Sequence, residues 1–249
     1  MYLKTEGLIL RETEYKDSDK LLTVLTRDHG LMTLKARGVR SRSSRLKGAC
    51  QLLAYSEFTY FDYRGFATIN EAVPIDQFSE LRKDLDALAL ASYFVQVAEA
   101  VSQEDAPSDE VLSLTLNALY ALCRLNKPQK LIKAVFELRI ACHAGYYPQL
   151  EECPICGNEQ ANCFNVSLGT VQCSACSDAE HTGIRLPIGT GTLSALRFIC
   201  LQEKSKIFSF QVSDAVLDEL GSVCETYLVT QFERGFSALD FYKSLTSLL

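Results

Sequence analysis

Four cysteines in two close pairs constrain this chain most: Cys153-Pro154-Ile155-Cys156 and Cys173-Ser174-Ala175-Cys176, with sixteen residues between them. Each C-x2-C pair can close a tight turn. Two such turns aim four thiolate sulfurs at one point, as a tetrahedral zinc ion requires. Pro154 and Gly157 suit those turns, where backbone N–H groups can point at the sulfurs. A site of this kind folds a segment too short to build its own core. It has no open position for a substrate, so it predicts how the middle of the chain is held and not what the protein does. Cys163 and His181 lie nearby as competing ligands, but neither has a partner at knuckle spacing. The other reading, four redox-active thiols, lacks the single C-x-x-C in a βαβ setting that a thioredoxin-like motif needs.

At 249 residues the chain can form one large domain or two to three small ones. No run of eighteen or more uncharged apolar residues predicts a membrane span, and the opening Met1-Tyr2-Leu3-Lys4 does not read as a secretory leader. Ten cysteines without a leader predict a reducing, cytoplasmic setting, where thiols stay reduced or bind metal. Cys50, Cys123, Cys142, Cys200 and Cys224 sit singly among apolar residues and read as small buried hydrophobes. The net charge of −6 is uneven: residues 1–79 carry a balance of +2 and the rest −8. An acidic chain is not the usual footprint of a nucleic-acid binder, so any such binding must depend on a local patch.

Residues 2–73 read as a compact β domain. Leu3 to Leu10, Leu21 to Thr26, Leu31 to Lys35, Leu52 to Phe61 and Phe66 to Ala72 are short runs rich in branched and aromatic residues. Asp28-His29-Gly30 and Tyr63-Arg64-Gly65 are turn signals, and Pro74 marks an exit. Five short strands in about 70 residues suit a small Greek-key barrel such as the OB-fold. From Ser79 the period becomes helical, with Leu81, Leu85, Leu88, Phe94, Val95 and Ala98 on one face. Pro107 and Pro128 open two further helices, the second ended by Gly145. Later helices are expected near Thr192–Leu201, Asp214–Phe232 and Ala238–Leu248. The predicted fold class is α+β and multidomain. It comprises an OB-fold nucleic-acid-binding domain at 1–78, a helical domain at 79–149 and 187–249, and an inserted four-cysteine zinc module at 150–186.

A basic loop carries the clearest functional signal. Lys35, Arg37, Arg40, Arg42, Arg45 and Lys47 place six positive charges in thirteen residues with no acidic residue among them. Gly38, Gly48 and the serines predict a mobile, hydroxyl-rich segment able to track a phosphate backbone, with arginines that can stack on bases. If all six met phosphates, affinity would fall about a thousandfold from 50 to 200 mM salt. A basic run alone is ordinarily a solvated loop; the adjoining barrel changes the weighting, because OB-folds bind single strands on a strand face and its flanking loops. Of the aromatics Tyr55, Phe58, Tyr60, Phe61, Tyr63 and Phe66, Phe58 and Tyr60 share one strand face and Phe61 and Tyr63 the other, with most expected in the core. No G-x-S-x-G elbow, H-E-x-x-H or phosphate-loop motif occurs, which makes an enzyme the weaker class. The competing readings are an adaptor that docks proteins through its zinc ribbon without touching DNA, and a nuclease using carboxylates such as Glu12, Glu14, Asp17 and Asp19.

The order of these parts is distinctive. The stretch Lys35 to Leu53, KARGVRSRSSRLKGACQLL, strongly resembles the bacterial RecO recombination and repair family, as does Thr5 to Met32, TEGLILRETEYKDSDKLLTVLTRDHGLM. LEECPICG at Leu150–Gly157 followed by CSAC at Cys173–Cys176 is similar to that family's zinc module, and SALDFYKSL at Ser237–Leu245 to its closing segment. The resemblance implies a non-enzymatic mediator of the RecF pathway. Such a protein binds single- and double-stranded DNA, anneals complementary strands, engages the C-terminal tail of single-strand-binding protein, and with RecR helps RecA replace that protein on DNA. It implies DNA contacts at Lys35, Arg37, Arg40, Arg42, Arg45 and Lys47, with Arg11 as a weaker contact, and one structural zinc on Cys153, Cys156, Cys173 and Cys176. It also implies a bacterial, nucleoid-associated location. The tail's pocket would pair a cation with an apolar groove; Arg124, Lys127, Lys130, Lys133 and Arg139 are the helical cations available.

Overall fold

The computed structural model describes residues 1–63, 65–179 and 183–246. They form two compact units, Met1–Leu125 with Phe236–Leu249, and Asn126–Gly235. His181 and Arg64 lie outside the described residues, as does the end of the expected terminal helix.

The first unit is built on five strands: β1 (Leu3–Tyr15), β2 (Asp19–Thr26), β3 (Gly30–Ala36), β4 (Tyr55–Tyr63) and β5 (Phe66–Asp76). They close into an OB-like barrel in the order β1-β2-β3-β5-β4, with β3 and β5 parallel and the other pairs antiparallel. Closure needs β1 to serve two neighbours. It does so by length, pairing through Leu3–Leu8 with β4 and through Gly7–Tyr15 with β2, with an irregularity after Ile9. Alternation then sends Leu22, Val24, Leu34, Ala36, Phe58, Tyr60 and Ile69 inward. The β2–β3 turn shows why Gly30 is glycine. Its φ is +61°, and a Cβ there would lie 2.1 Å from the Gln103 carbonyl oxygen and 2.4 Å from that of Ala106.

Two local expectations are corrected. Pro74 does not end the last strand; β5 runs on to Asp76, and Pro74 sits opposite Ser56 beside a register shift, where a missing N–H is tolerated. Leu85 is exposed rather than part of an apolar face. A 3-10 turn at Ser79–Lys83 is separated from α1 (Leu85–Val101) by Asp84, whose carboxylate accepts the N–H groups of Asp86 and Ala87 at 3.0 and 3.1 Å. That cap restarts the helix and shifts its phase, so Leu90, Ala91, Phe94 and Ala98 carry the buried face. α2 (Asp109–Arg124) follows, and α7 (Ser237–Thr246) packs on α1, with Phe236, the residue before α7, edge-on to Tyr93 at 5.7 Å between ring centroids.

The second unit contains α3 (Gln129–His143), β6 (Cys163–Asn165), β7 (Thr170–Gln172), α4 (Ser174–Ala179), β8 (Arg185–Pro187), α5 (Thr190–Leu201) and α6 (Asp214–Gln231). The strands form a small antiparallel sheet, β7-β6-β8, whose Phe164 meets Tyr227 of α6 edge to face at 5.3 Å. α3 is buried on most sides. Its Lys133 is shielded with Glu137 and Glu225 at 2.8 and 2.7 Å, so the charge is compensated where it is desolvated. Gly145 ends α3 as expected, its N–H bonding to the Cys142 carbonyl. The compact units thus group α1, α2 and α7 with the barrel, and α3, α5 and α6 with the cysteine module.

Candidate nucleic-acid interface and metal centre

The basic segment between β3 and β4 is a folded strap. Val39 and Cys50 are buried in the barrel core and Leu46 packs against it, so three apolar side chains anchor the run. Its backbone is tied to the strands at both ends. Arg40 N–H donates to the Ser18 carbonyl at 3.1 Å, and at the other end Leu53 N–H donates to the Ile9 carbonyl and Ile9 N–H to the Ala54 carbonyl, each at 3.0 Å. Internal turns, such as Cys50 N–H to Leu46 O at 2.9 Å, absorb further donors. The strap's backbone is thus anchored at several points, with Arg37, Arg40, Arg42, Arg45 and Lys47 exposed along it.

The six cations divide sharply. Lys35 lies in β3 with its side chain 11% exposed, 3.2 Å from the Asp19 carboxylate and 4.8 Å from the Tyr15 ring centroid. Asp19 also accepts the Gly38 N–H at 2.9 Å. That backbone bond, opposed by burial and helped by Lys35, holds its carboxyl below the ordinary value. Arg40 is exposed but 3.1 Å from Glu14. Arg37 is exposed and lies 4.9 Å from the Tyr63 ring centroid. Arg42, Arg45 and Lys47 are exposed, and among the described residues they make no ion pair. Arg11 is held by Glu99 of α1 at 3.0 Å.

Arg37 belongs to an aromatic row. β4 turns Phe58 and Tyr60 into the core, as expected, and Phe61 and Tyr63 outward. Phe61 lies edge-on to Tyr63 at 6.5 Å and to Tyr2 at 5.6 Å. The sequence reading missed Tyr2, which comes into the row only because β1 pairs with β4. It also missed the anchors Val39 and Leu46, whose signal was an apolar residue set in an otherwise polar run, whereas Cys50 is buried as expected.

The four cysteines converge as expected: the Sγ atoms of Cys153, Cys156, Cys173 and Cys176 all lie within 4.8 Å of one another, with Cys156 and Cys173 3.6 Å apart. Four sulfurs around one ion at about 2.3 Å would stand about 3.8 Å apart, so the set fits a tetrahedral metal. In the first knuckle Gly157 adopts φ +71° and its N–H bonds to the Cys153 carbonyl at 2.8 Å. The second knuckle uses the first turn of α4, where Ser177 N–H bonds to the Cys173 carbonyl at 2.9 Å. Cys153 is prepared as a thiolate. Burial opposes its charge, yet backbone N–H groups of Cys173, Ile155 and Cys156 bring its pKa down to about 6. Cys163 lies in β6 and is not one of the four. No other cluster of metal-ligating side chains occurs among the described residues. Glu12, Glu14 and Asp19 face Lys20, Arg40 and Lys35 respectively. No described helix is long and apolar enough to cross a membrane.

Against known families, the model described as recombination protein O N terminal matches residues 1–78, and that described as recombination protein O C terminal matches 82–240. Among curated proteins, the chain is similar to the DNA repair protein RecO of Acetivibrio thermocellus, 33% identical over 98% of this chain and 97% of that one. It is also similar to proteins of the same name from Alkaliphilus metalliredigens, 26% identical over 98% and 100% of the two chains, and Listeria monocytogenes, 27% identical over 90% and 87%.

Proposed function

The chain belongs to the RecO family of DNA repair and recombination proteins, and on that premise we propose that it is a non-enzymatic mediator that binds single- and double-stranded DNA and anneals complementary strands. One observation carries the reading: a basic strap anchored on an OB-like barrel keeps Arg37, Arg42, Arg45 and Lys47 clear of carboxylates. Strands repel through their phosphates, and local neutralisation lowers that barrier without nucleotide hydrolysis. Contacts to phosphates and base faces leave binding sequence-neutral, with the Tyr2–Phe61–Tyr63 row as the stacking platform. Lys35 and Arg11 stay in their ion pairs, and Arg40 joins only by leaving Glu14. Four cations instead of six soften the expected loss of affinity between 50 and 200 mM salt to roughly 50- to 150-fold.

In this reading the resident metal is one structural zinc on Cys153, Cys156, Cys173 and Cys176, since four thiolates in a closed tetrahedral set select it. The protein works in the bacterial cytoplasm at the nucleoid with RecR, helping RecA replace single-strand-binding protein. The acidic, apolar tail of that protein would take the groove of about 220 Å³ lined by Lys127, Pro128, Leu131, Val212 and Leu217. Of the helical cations, Arg124 is engaged by Asp76, Lys130 by Asp218, Lys133 by two glutamates and Arg139 by backbone carbonyls; Lys127, whose ammonium donates to the Phe210 carbonyl at 3.1 Å, is the one that lines that groove.

The test is a salt titration of DNA binding. The triple substitution Arg42→Ala, Arg45→Ala, Lys47→Ala should flatten the log–log slope by two to three (about 0.7 to 0.9 per phosphate contact). An unchanged slope removes the strap from the interface, and no DNA binding by the native chain would favour a pure adaptor. Annealing of strands coated with single-strand-binding protein, with and without RecR, then tests mediation. Labelled DNA incubated with magnesium should remain intact.

A further inference from the structure

Away from the four-sulfur cluster, α3 and α5 bring two other cysteines together. Cys142 lies in the last turn of α3 and Cys200 in the last turn of α5, with their Sγ atoms 3.9 Å apart. Rotation about the side-chain bonds and a small shift can close that gap to a covalent bond. The two residues differ in burial: Cys200 is buried, whereas Cys142 is half-buried. Arg139, one turn before Cys142, fixes a charge beside them. Its Nη1 donates to the carbonyls of Ile199 and Cys200 at 3.2 and 2.9 Å, while its buried Nε–H has no acceptor among the described residues. An anion formed at the pair would meet that guanidinium. The Cys200 hydrogen bond holds the Cys142 pKa below the usual thiol value against burial, with the Arg139 charge assisting. Cys224, fully buried, is instead pushed well up, as an inert core thiol should be.

We propose that Cys142 and Cys200 form a peroxide-sensitive dithiol, in which Cys142 is the attacking and Cys200 the resolving residue. The Cys142 thiolate attacks one oxygen of hydrogen peroxide. The O–O bond breaks, the leaving hydroxide takes a proton and departs as water, and Cys142 becomes a sulfenic acid. Cys200 then attacks that sulfur and gives up its proton, the hydroxyl leaves as a second water, and a disulfide remains. Two electrons pass from two thiols to one peroxide. The bond joins positions 58 apart and closes a loop that contains all four metal-ligating cysteines. It therefore tethers the module to the helices at the moment when oxidants threaten its metal ligands. α5 is already attached to the entrance of the first knuckle, because Arg197 donates to the carbonyls of Leu150 and Glu151 at 2.8 and 2.7 Å.

The experiment titrates the metal-loaded full chain with hydrogen peroxide, alkylates remaining thiols, maps peptides without reduction, and follows released metal with a chromogenic chelator. A Cys142–Cys200 disulfide should appear at lower peroxide than metal release. Cys200→Ser should stop the reaction at a Cys142 sulfenic acid, trapped by dimedone. Arg139→Gln should slow oxidation, and Arg139→Lys should restore most of the rate. The proposal is overturned if Cys142 and Cys200 stay fully alkylatable while the metal-ligating cysteines oxidise. It is equally overturned if Cys200→Ser yields no sulfenic acid at Cys142.

Discussion

The strap on the barrel and the two cysteine knuckles are both irregular chain, and they are ordered by opposite means. The strap has an established core beside it, and Val39, Leu46 and Cys50 reach into that core. Arg37, Arg42, Arg45 and Lys47 can then stay outside without pairing to a carboxylate among the described residues. The knuckles place their polarity inward: Cys153 and Cys173 are buried, and four sulfurs face one point. An irregular segment therefore needs either an existing apolar host or a ligand of its own. Which one it uses decides whether its charged groups remain available to a partner.

Metal removal should separate the two regions most. Stripping the ion from the cysteine set forfeits binding free energy on the order of 10 kcal/mol. Amide exchange should rise across residues 153–158 and 173–177 and stay unchanged in β1 to β5; exchange rising equally in the barrel would break the contrast. Val39→Asp is the corresponding blow to the strap. It puts an unpaired charge in a position 3% exposed and should cost about 3–5 kcal/mol in denaturant unfolding, with metal content untouched.

Asp19→Asn is milder, about 1–3 kcal/mol, because it weakens the hold on Gly38 and Lys35 while keeping the side chain's shape. Its pH dependence carries a sign. The folded carboxyl titrates below its ordinary 3.8, so its stabilisation is complete above that value and is lost as pH falls through the lowered one. The native and Asp19→Asn stability curves should therefore converge on acidification below about pH 4. Smallest of all, Arg42→Ala, Arg45→Ala and Lys47→Ala should each change stability by less than about 0.5 kcal/mol. A larger thermal shift would mean that these charges help to hold the strap.

Much of this was legible in local sequence. The C-x2-C pairs announced their own convergence, because the spacing alone makes the turn. The alternation Phe58-Thr59-Tyr60-Phe61 told which aromatics share a face, since a strand's period is two, and barrel closure decided that Phe58 and Tyr60 are the inward pair. Other features were hidden for a common reason. Lys35 looked like one more cation in a basic run, yet strand pairing brings Asp19 and Tyr15 to it. Leu85 kept helical spacing, but the Asp84 cap restarted the helix and changed the face it occupies. Pro74 read as a terminus until the register shift beside Ser56 gave it a tolerant position.

By itself the sequence determined what depends on near neighbours: the thiol quartet, the strand and helix periods, the concentration of positive charge between Lys35 and Lys47, and the family those motifs mark. Tertiary structure alone decided which of those charges remain open to a partner. Glu14 and Asp19 answer Arg40 and Lys35 only after β1, β2 and β3 pair, and Tyr2 joins Phe61 only across the β1–β4 seam. Electrostatic pairing acts over a few ångströms of space, whatever the separation along the chain, so the closed barrel and not the basic run decides which of those cations are held by carboxylates.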